Sequence, residues 1–343
     1  MDRRRTIKRR KRKINLNAFR ILLIAILALV LFFVIKIYQF NNLDSKVETF
    51  NVDFTKETNN IGVLNNKYYK IDNGVFSANT ENGEQFKINV LDINKVIYDK
   101  YIYLVENSGR IRLLNRNDGK ELKKVKLDKS IESIEKNGDN LIVYHPDKVS
   151  VLSDKLEKVN EVSDLRNPIK YDFTDTKEAI LEMDLSDGVV SSIFTVKNND
   201  NTQFSISSSN EVFLFTKIID DNTIMVSNSY IYLINGNSVV KKILLKDISA
   251  IDFNYEQLAV VDDKQLIIFD KNLEEIDKKT IGVDADKLSI RKNSIVAIGN
   301  EKLFVYENGN VIDADIGGVV NWFENDQVFY TIFLDKIVKV NAY

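Results

Sequence analysis

Few side chains in this 343-residue chain could carry chemistry. His145 is the one histidine, Trp322 the one tryptophan, and cysteine is absent. A Ser-His-Asp triad, a two-histidine metal site or a histidine proton relay would each have to be built around His145. It precedes Pro146 between two apolar runs, which reads as an exposed turn residue. Without cysteine there are neither disulfides nor thiolate metal sites. No glycine-rich phosphate loop occurs. Asp313-Ala314-Asp315-Ile316-Gly317 has the opening of a calcium loop, but its glycine falls at the fifth position and the distal glutamate is missing, so a turn is expected. These residues therefore predict no catalytic site, no bound metal and no cofactor: the chain reads as a non-enzyme.

The elements that would position any site are short and repeated. Runs rich in Val, Ile, Tyr and Phe alternate with Asn, Asp and Gly turns, the pattern of antiparallel strands. One hexad recurs eight times, as in Arg110-Ile111-Arg112-Leu113-Leu114-Asn115, Lys148-Val149-Ser150-Val151-Leu152-Ser153 and Gln265-Leu266-Ile267-Ile268-Phe269-Asp270. The copies end at residues 79, 115, 153, 197, 235, 270, 307 and 341, with gaps of 34 to 44 residues. A strand and tight turn precede most copies, such as Ile102 to Val105 before Ser108-Gly109. A turn and a third strand follow, and Leu156 to Val159 and Leu273 to Ile276 open two of those strands. With a short apolar inner strand, such as Ile131 to Ile134 or Val319 to Phe323, each unit holds four strands. Four strands per 35 to 45 residues is the signature of a propeller blade. The expected fold is all-β, an eight-bladed β-propeller with seven blades as the alternative, occupying residues 61–343. The chain stops just after the last hexad, and Val47 to Phe54 could supply that blade's missing outer strand and fasten the ring.

Two arginines and the tryptophan fall on these elements. Arg110 and Arg112 lie on a third strand, where solvation explains them. Trp322 falls in the inner strand of the last unit, which lines the channel of a propeller. It is the one candidate binding-face residue, set against packing between blades one and eight.

Ahead of the repeats, a basic tail from Arg3 to Lys13 runs into the uncharged stretch Ile21 to Ile35, thirteen of whose fifteen residues are Ile, Leu, Val or Phe. At about −0.3 to −0.6 kcal/mol each, these favour insertion by roughly 4 to 8 kcal/mol. Residues 18–38 form a 21-residue apolar segment, about 31 Å as a helix, which matches a hydrocarbon core of about 30 Å. A cleaved signal peptide would need a small-x-small site, and Lys36 to Phe40 offers none. The expected organisation is a cytoplasmic tail over 1–17, one transmembrane signal-anchor helix over 18–38, a juxtamembrane connector over 39–60 and an extracytoplasmic propeller. Of 48 basic and 50 acidic residues, eleven and one precede residue 39, leaving 37 and 49 beyond it, a net −12. An acidic ectodomain argues against nucleic acid as a partner.

The repeat, with an Asn or Asp, a Gly four residues on and a polar outer strand, resembles the quinoprotein-type eight-bladed propeller superfamily, a WD40- and quinoprotein-like repeat. The layout of basic tail, anchor and propeller is similar to a family of bacterial membrane-anchored propeller-like proteins of uncharacterised function, over Lys46 to Tyr343. In quinoprotein enzymes the docking motif has Ala and Asp six and four residues before the Gly and Trp four after it. Here Leu113, Asn115 and Lys123 stand around Gly119, and Ser77, Asn79 and Lys87 around Gly83, so the resemblance implies the blade and not the quinone chemistry. The function expected is a membrane-tethered, single-pass scaffold of the cell envelope that binds an envelope protein or cell-wall component. A glycan- or small-molecule-binding module is the alternative, and a quinoprotein-like enzyme a remote one.

Overall fold

The computed structural model describes residues 47–340, less positions 53, 56–57, 65–66, 81, 129, 186–187, 200–201, 255, 292–293, 320 and 326–327. Two compact units divide the chain, Met1–Glu48 and Thr49–Tyr343, and all the described residues but Val47 and Glu48 belong to the second. The tail 1–17, the segment 18–38 and the connector up to residue 46 lie outside the described residues. Among the described residues no helix is long and apolar enough to cross a membrane.

The second unit is an all-β, eight-bladed propeller made of four-stranded antiparallel sheets. Blade 1 is β2 (Asn59–Leu64), β3 (Lys67–Asp72), β4 (Val75–Thr80) and β5 (Gly83–Asn89); blade 2 is β6 (Ile93–Tyr98), β7 (Ile102–Glu106), β8 (Arg110–Leu114) and β9 (Glu121–Lys126). Blade 3 is β10 (Ser133–Asn137), β11 (Asn140–Tyr144), β12 (Val149–Ser153) and β13 (Lys158–Val162); blade 4 is β14 (Pro168–Phe173), β15 (Lys177–Asp184), β16 (Ser191–Asn198) and β17 (Gln203–Ser208). Blade 5 is β18 (Phe213–Ile219), β19 (Asn222–Ser227), β20 (Tyr230–Asn235) and β21 (Ser238–Leu244); blade 6 is β22 (Ile248–Phe253), β23 (Gln257–Asp262), β24 (Gln265–Asp270) and β25 (Glu275–Thr280). Blade 7 is β26 (Lys287–Ile290), β27 (Ile295–Gly299), β28 (Lys302–Glu307) and β29 (Asn310–Asp315). Blade 8 is β30 (Asn321–Asn325), β31 (Val328–Ile332) and β32 (Lys336–Val340), with β1 (Val47–Asn51) as its outer strand.

The core sits in eight seams, one between each pair of neighbouring blades. Second and third strands are buried on both faces, so they read as continuous apolar runs rather than alternating ones. In β7, Ile102 and Leu104 face blade 1 while Tyr103 and Val105 face blade 3. In β23, Leu258 and Val260 face blade 5 while Ala259 and Val261 face blade 7. The last seam joins Tyr330, Ile332 and Ile337 of blade 8 to Ile61 and Val63 of blade 1, and Phe54 is buried in it. There the chain after β1 runs on beside blade 8: Val52 N–H donates to the Asp335 carbonyl at 3.0 Å and Phe54 N–H to the Leu334 carbonyl at 2.9 Å.

The polar residue that ends three of the hexads has a mechanical reason. Asn115, Ser153 and Asp270 each accept from backbone N–H groups in the turn that follows, as in Asp270 Oδ1 from Asn272 N at 2.9 Å and Glu274 N at 2.8 Å. One residue of that turn is left-handed: Gly119 (φ 69°), four positions after Asn115, and Leu156 (φ 58°) and Leu273 (φ 59°), three positions after Ser153 and Asp270. Both leucines belong to the turn, so the strands expected to open at Leu156 and Leu273 begin at Lys158 and Glu275. Their side chains are buried in the seams between blades 2 and 3 and between blades 5 and 6, which holds a conformation that L-residues otherwise avoid.

Candidate functional site

His145 is not the exposed turn residue that its Pro neighbour implies. It lies in the turn between β11 and β12 with no exposed surface. Nδ1 donates to the Ser130 carbonyl at 2.7 Å, and Nε2 shares a 3.3 Å hydrogen bond with the Ser150 hydroxyl. Ser150 also donates to Glu161, which accepts from Lys148 at 3.1 Å and Lys158 at 3.0 Å; Lys148 in turn bonds Asp128 at 2.8 Å. The Lys158 and Lys148 ammonium groups hold the Glu161 carboxyl below its usual range. A serine against a histidine has the outline of a nucleophile pair. Here Ser150 is 3 % exposed and His145 0 %, so the pair is closed to substrate and fastens the turn instead.

The other candidates also settle into strands. Asp313 and Asp315 belong to β29, with Asp313 3.4 Å from Lys302, so the aspartates expected in a turn lie on the outer strand of blade 7, while Gly317 falls in the turn that follows it. Among the described residues no group of three His, Cys, Asp or Glu comes together to hold a metal. Arg110 lies 3.6 Å from Glu106, and Arg112 Nε bonds Glu121 at 2.7 Å.

The wall of the central channel is built from inner strands, and it is charged. Lys95 donates to the Ile134 carbonyl at 2.8 Å, Lys170 to Glu135 at 2.6 Å and Lys217 to Asp172 at 2.8 Å, each bridging neighbouring blades. Burial lowers the Lys95 ammonium pKa; Glu135 opposes that shift and Lys287 adds to it. The carboxylates also accept from backbone: Ile218 N–H donates to Asp172 at 2.7 Å and Ile290 N–H to Asp252 at 2.6 Å, and Asn60 Oδ1 takes the Val96 N–H at 3.2 Å. These inner-strand polar groups tie blade 1 to 2, 2 to 3, 3 to 4, 4 to 5 and 6 to 7.

Trp322 stands half-buried at the start of β30. It packs with Ile298, Ile316 and Val319 in the seam between blades 7 and 8, not between blades one and eight. Lys287 Nζ sits 5.4 Å from its ring. Trp322 also lines two open clefts of about 350 and 370 Å³, one with Asp286, Lys287 and Glu301, the other on the channel wall with Asn60, Lys95 and Glu135. An aromatic ring beside a cation and two carboxylates suits a small polar ligand with one flat apolar side.

A larger feature escaped the sequence. Inner strands begin at one end of the ring, where the turns between second and third strands also lie. Val90 N–H donates to Gly74 O and Asn228 N–H to Val212 O at this leading end. Of the fourteen large hydrophobic side chains exposed among the described residues, nine lie there: Leu91, Ile169, Leu185, Val189, Val190, Val212, Leu214, Leu244 and Leu334. The other five are on outer strands, four of them (Leu122, Val159, Val239 and Ile276) one residue in from the trailing end, whose turns hold Asp99, Asp139, Asp154, Asp175 and Asp220. Blades 4 and 5 supply the densest part, where Phe213 N–H donates to Ser192 and so sets Val212 and Leu214 beside Val190. A bulge at Ile169 and another at Leu214 aim these side chains outward. A single inserted residue reverses the face of everything around it, which no period-two pattern reveals.

No family model matches the chain, and no curated protein matches it in sequence. Among solved structures it is similar to Sqt1 of Saccharomyces cerevisiae, with a TM-score of 0.60 and 12 % identity over 85 % of this chain and 99 % of that one. It is similar to BamB from Moraxella catarrhalis at a TM-score of 0.52 and 13 % identity, over 85 % of this chain and 97 % of that one. The WD40 domain of Neurospora crassa Pan2 aligns at 0.50 and 9 % identity, over 74 % and 90 %. At such identities the likeness is one of fold.

Proposed function

We propose that this protein is a non-enzymatic, membrane-tethered scaffold whose propeller, outside the cytoplasm, docks an envelope protein at its leading end. One observation carries the reading: nine of the fourteen exposed large apolar residues among the described ones lie at the leading end, most of them on blades 4 and 5, whereas the turns of the trailing end carry aspartates. Clustered exposed apolar surface marks interaction sites, and scattered single residues do not. Channel-wall charges are engaged in ties between blades, which leaves the ends for recognition. The apolar segment 18–38 supports the tether, since confinement raises effective concentration against partners at the same membrane.

A photo-crosslinking amino acid at Val190 or Leu214, compared with one at Asp139, tests this in cells. Recovery of one envelope protein from the leading-end positions alone supports the scaffold. Equal labelling from both ends, or none, rejects it. The cleft at Trp322 favours a second reading, binding of a glycan or small metabolite; thermal stabilisation by such a ligand, lost in Trp322→Ala, would establish it. An absorption spectrum of the purified chain showing a stoichiometric quinone would restore the enzyme reading.

A further inference from the structure

Each blade's outer strand leaves one edge without a neighbour, and such an edge is a template for another strand unless charge or a bulge blunts it. Five outer strands have both devices. β5, β9, β13, β21 and β25 carry Lys or Glu, and each pairs with its third strand through a register shift. β29 pairs without a shift but holds Asp313 and Asp315, and β1 contains Glu48. β17 has neither. Its sequence, Gln-Phe-Ser-Ile-Ser-Ser, has no charged residue, and its register runs unbroken from Ser192↔Ser208 to Lys197↔Gln203.

The strand alternates as a half-covered strand does. Gln203, Ser205 and Ser207 are exposed, whereas Phe204 and Ile206 are half-buried at the rim of the seam between blades 4 and 5, with Tyr230. A strand laid along this edge would continue the seam if it were uncharged and apolar at alternate positions. β17 itself meets that requirement. When a strand pairs antiparallel with its own copy about a two-fold axis, residues on one face meet residues of the same face, so a strand holding several lysines opposes like charges. β9 and β25 would do so; β17 would not.

We propose that a second copy of this chain is the occupant, its β17 pairing antiparallel with this β17 so that two blade-4 sheets join into one of eight strands. An axis through Ser205 sets Phe204 of one copy against Ile206 of the other, both on the seam side. A six-residue pairing is smaller than the roughly 1,200 Å² of a stable standard interface, so the dimer is reversible and dissociates on dilution. Nothing in this pairing depends on an envelope partner, so it stands or falls separately from the scaffold reading.

The test is the oligomeric state of the full chain in detergent micelles, followed by sedimentation velocity from low micromolar to about 100 μM. The wild type is expected to shift from monomer to dimer over this range, with amide exchange slowed in β17 of the dimer. Gln203 and Ser207 are exposed and oppose each other across the axis, so the double change Gln203→Lys, Ser207→Lys should leave the melting temperature and circular dichroism unchanged and hold the chain monomeric. Mixing it with the Gln203→Glu, Ser207→Glu protein should restore the dimer as a heterodimer. A wild type that stays monomeric, a lysine variant that dimerises like the wild type, or a dimer without protection of β17 would each overturn the proposal. So would a monomer whose β17 is protected by another protein's extended segment. Should the lysine variant misfold, exchange in the wild type and the glutamate variant still decide.

Discussion

Gly299 ends β27 where the connector from blade 6 crosses it, and a Cβ there would lie 1.9 Å from the Asp284 carbonyl oxygen. Backbone cannot swing aside as a side chain can, so Gly299→Ala should cost about 3 kcal/mol, the upper part of the usual overpacking range. Gly317→Ala is the control: its new methyl would meet only the end of the Glu301 side chain at 3.6 Å, and denaturant melts should find it near neutral. Tyrosines supply a second set of residue-scale ties. Tyr69 donates across a seam to the Arg116 carbonyl at 3.0 Å and Tyr103 to Asp154 at 2.9 Å. Burial pushes the Tyr69 hydroxyl to about 12, with Arg116 opposing, and burial together with Asp277 does the same for Tyr306. The unfolded chain loses these protons near pH 10 and the folded one holds them to about 12, so their stabilisation is complete below pH 10 and lost as pH rises through 12. Thermal melts at increasing alkalinity should fall over that window in step with tyrosinate absorbance. Tyr69→Phe should cost about 1 kcal/mol at neutral pH and soften the alkaline fall.

At the scale of elements, the ring is closed by residues near its N-terminus. Val52 and Phe54 bond blade 8, and Phe54 buries its ring in the seam with blade 1, edge-on to Tyr68 at 5.8 Å. Phe54→Ala should cost about 3 to 5 kcal/mol and lower the melting temperature by roughly 10 °C. Deleting residues 47–54 should do more, because it uncovers the β32 edge as well; calorimetry showing neither loss would place the closure elsewhere. The blades themselves were legible in the hexad because burial on both faces, joined in three copies by an Asx or Ser turn acceptor, leaves marks in sequence. Leu156 and Leu273 resemble strand residues in the sequence because an apolar residue next to a strand looks like its first member, and only the backbone shows the left-handed turn. His145 misleads for the converse reason: a polar residue before proline looks solvated in the sequence, and the fold places the Ser130 carbonyl and Ser150 hydroxyl around it. The leading-end cluster was hidden altogether, since bulges at Ile169 and Leu214 set which side chains face outward.

For the whole molecule, the strongest unmet test concerns which side of a membrane the ring occupies. Two features of the sequence bear on it: eleven basic residues and one acid precede residue 39, whereas the remainder carries a net −12. Basic residues flanking an apolar segment resist translocation, and acidic ones contribute little to orientation, so the topology we propose has the tail inside and the propeller outside. The ring's own physics is compatible with an oxidising exterior, since it has no cysteine to be oxidised and takes its stability from eight apolar seams. A tag at Met1 and an antibody against the propeller give the measurement. Protease added to intact cells or spheroplasts should destroy the propeller signal and spare the tag, while lysed cells lose both. A propeller that survives in intact cells and is digested only after lysis would reverse the topology and, with it, the class of partner that the leading end could meet.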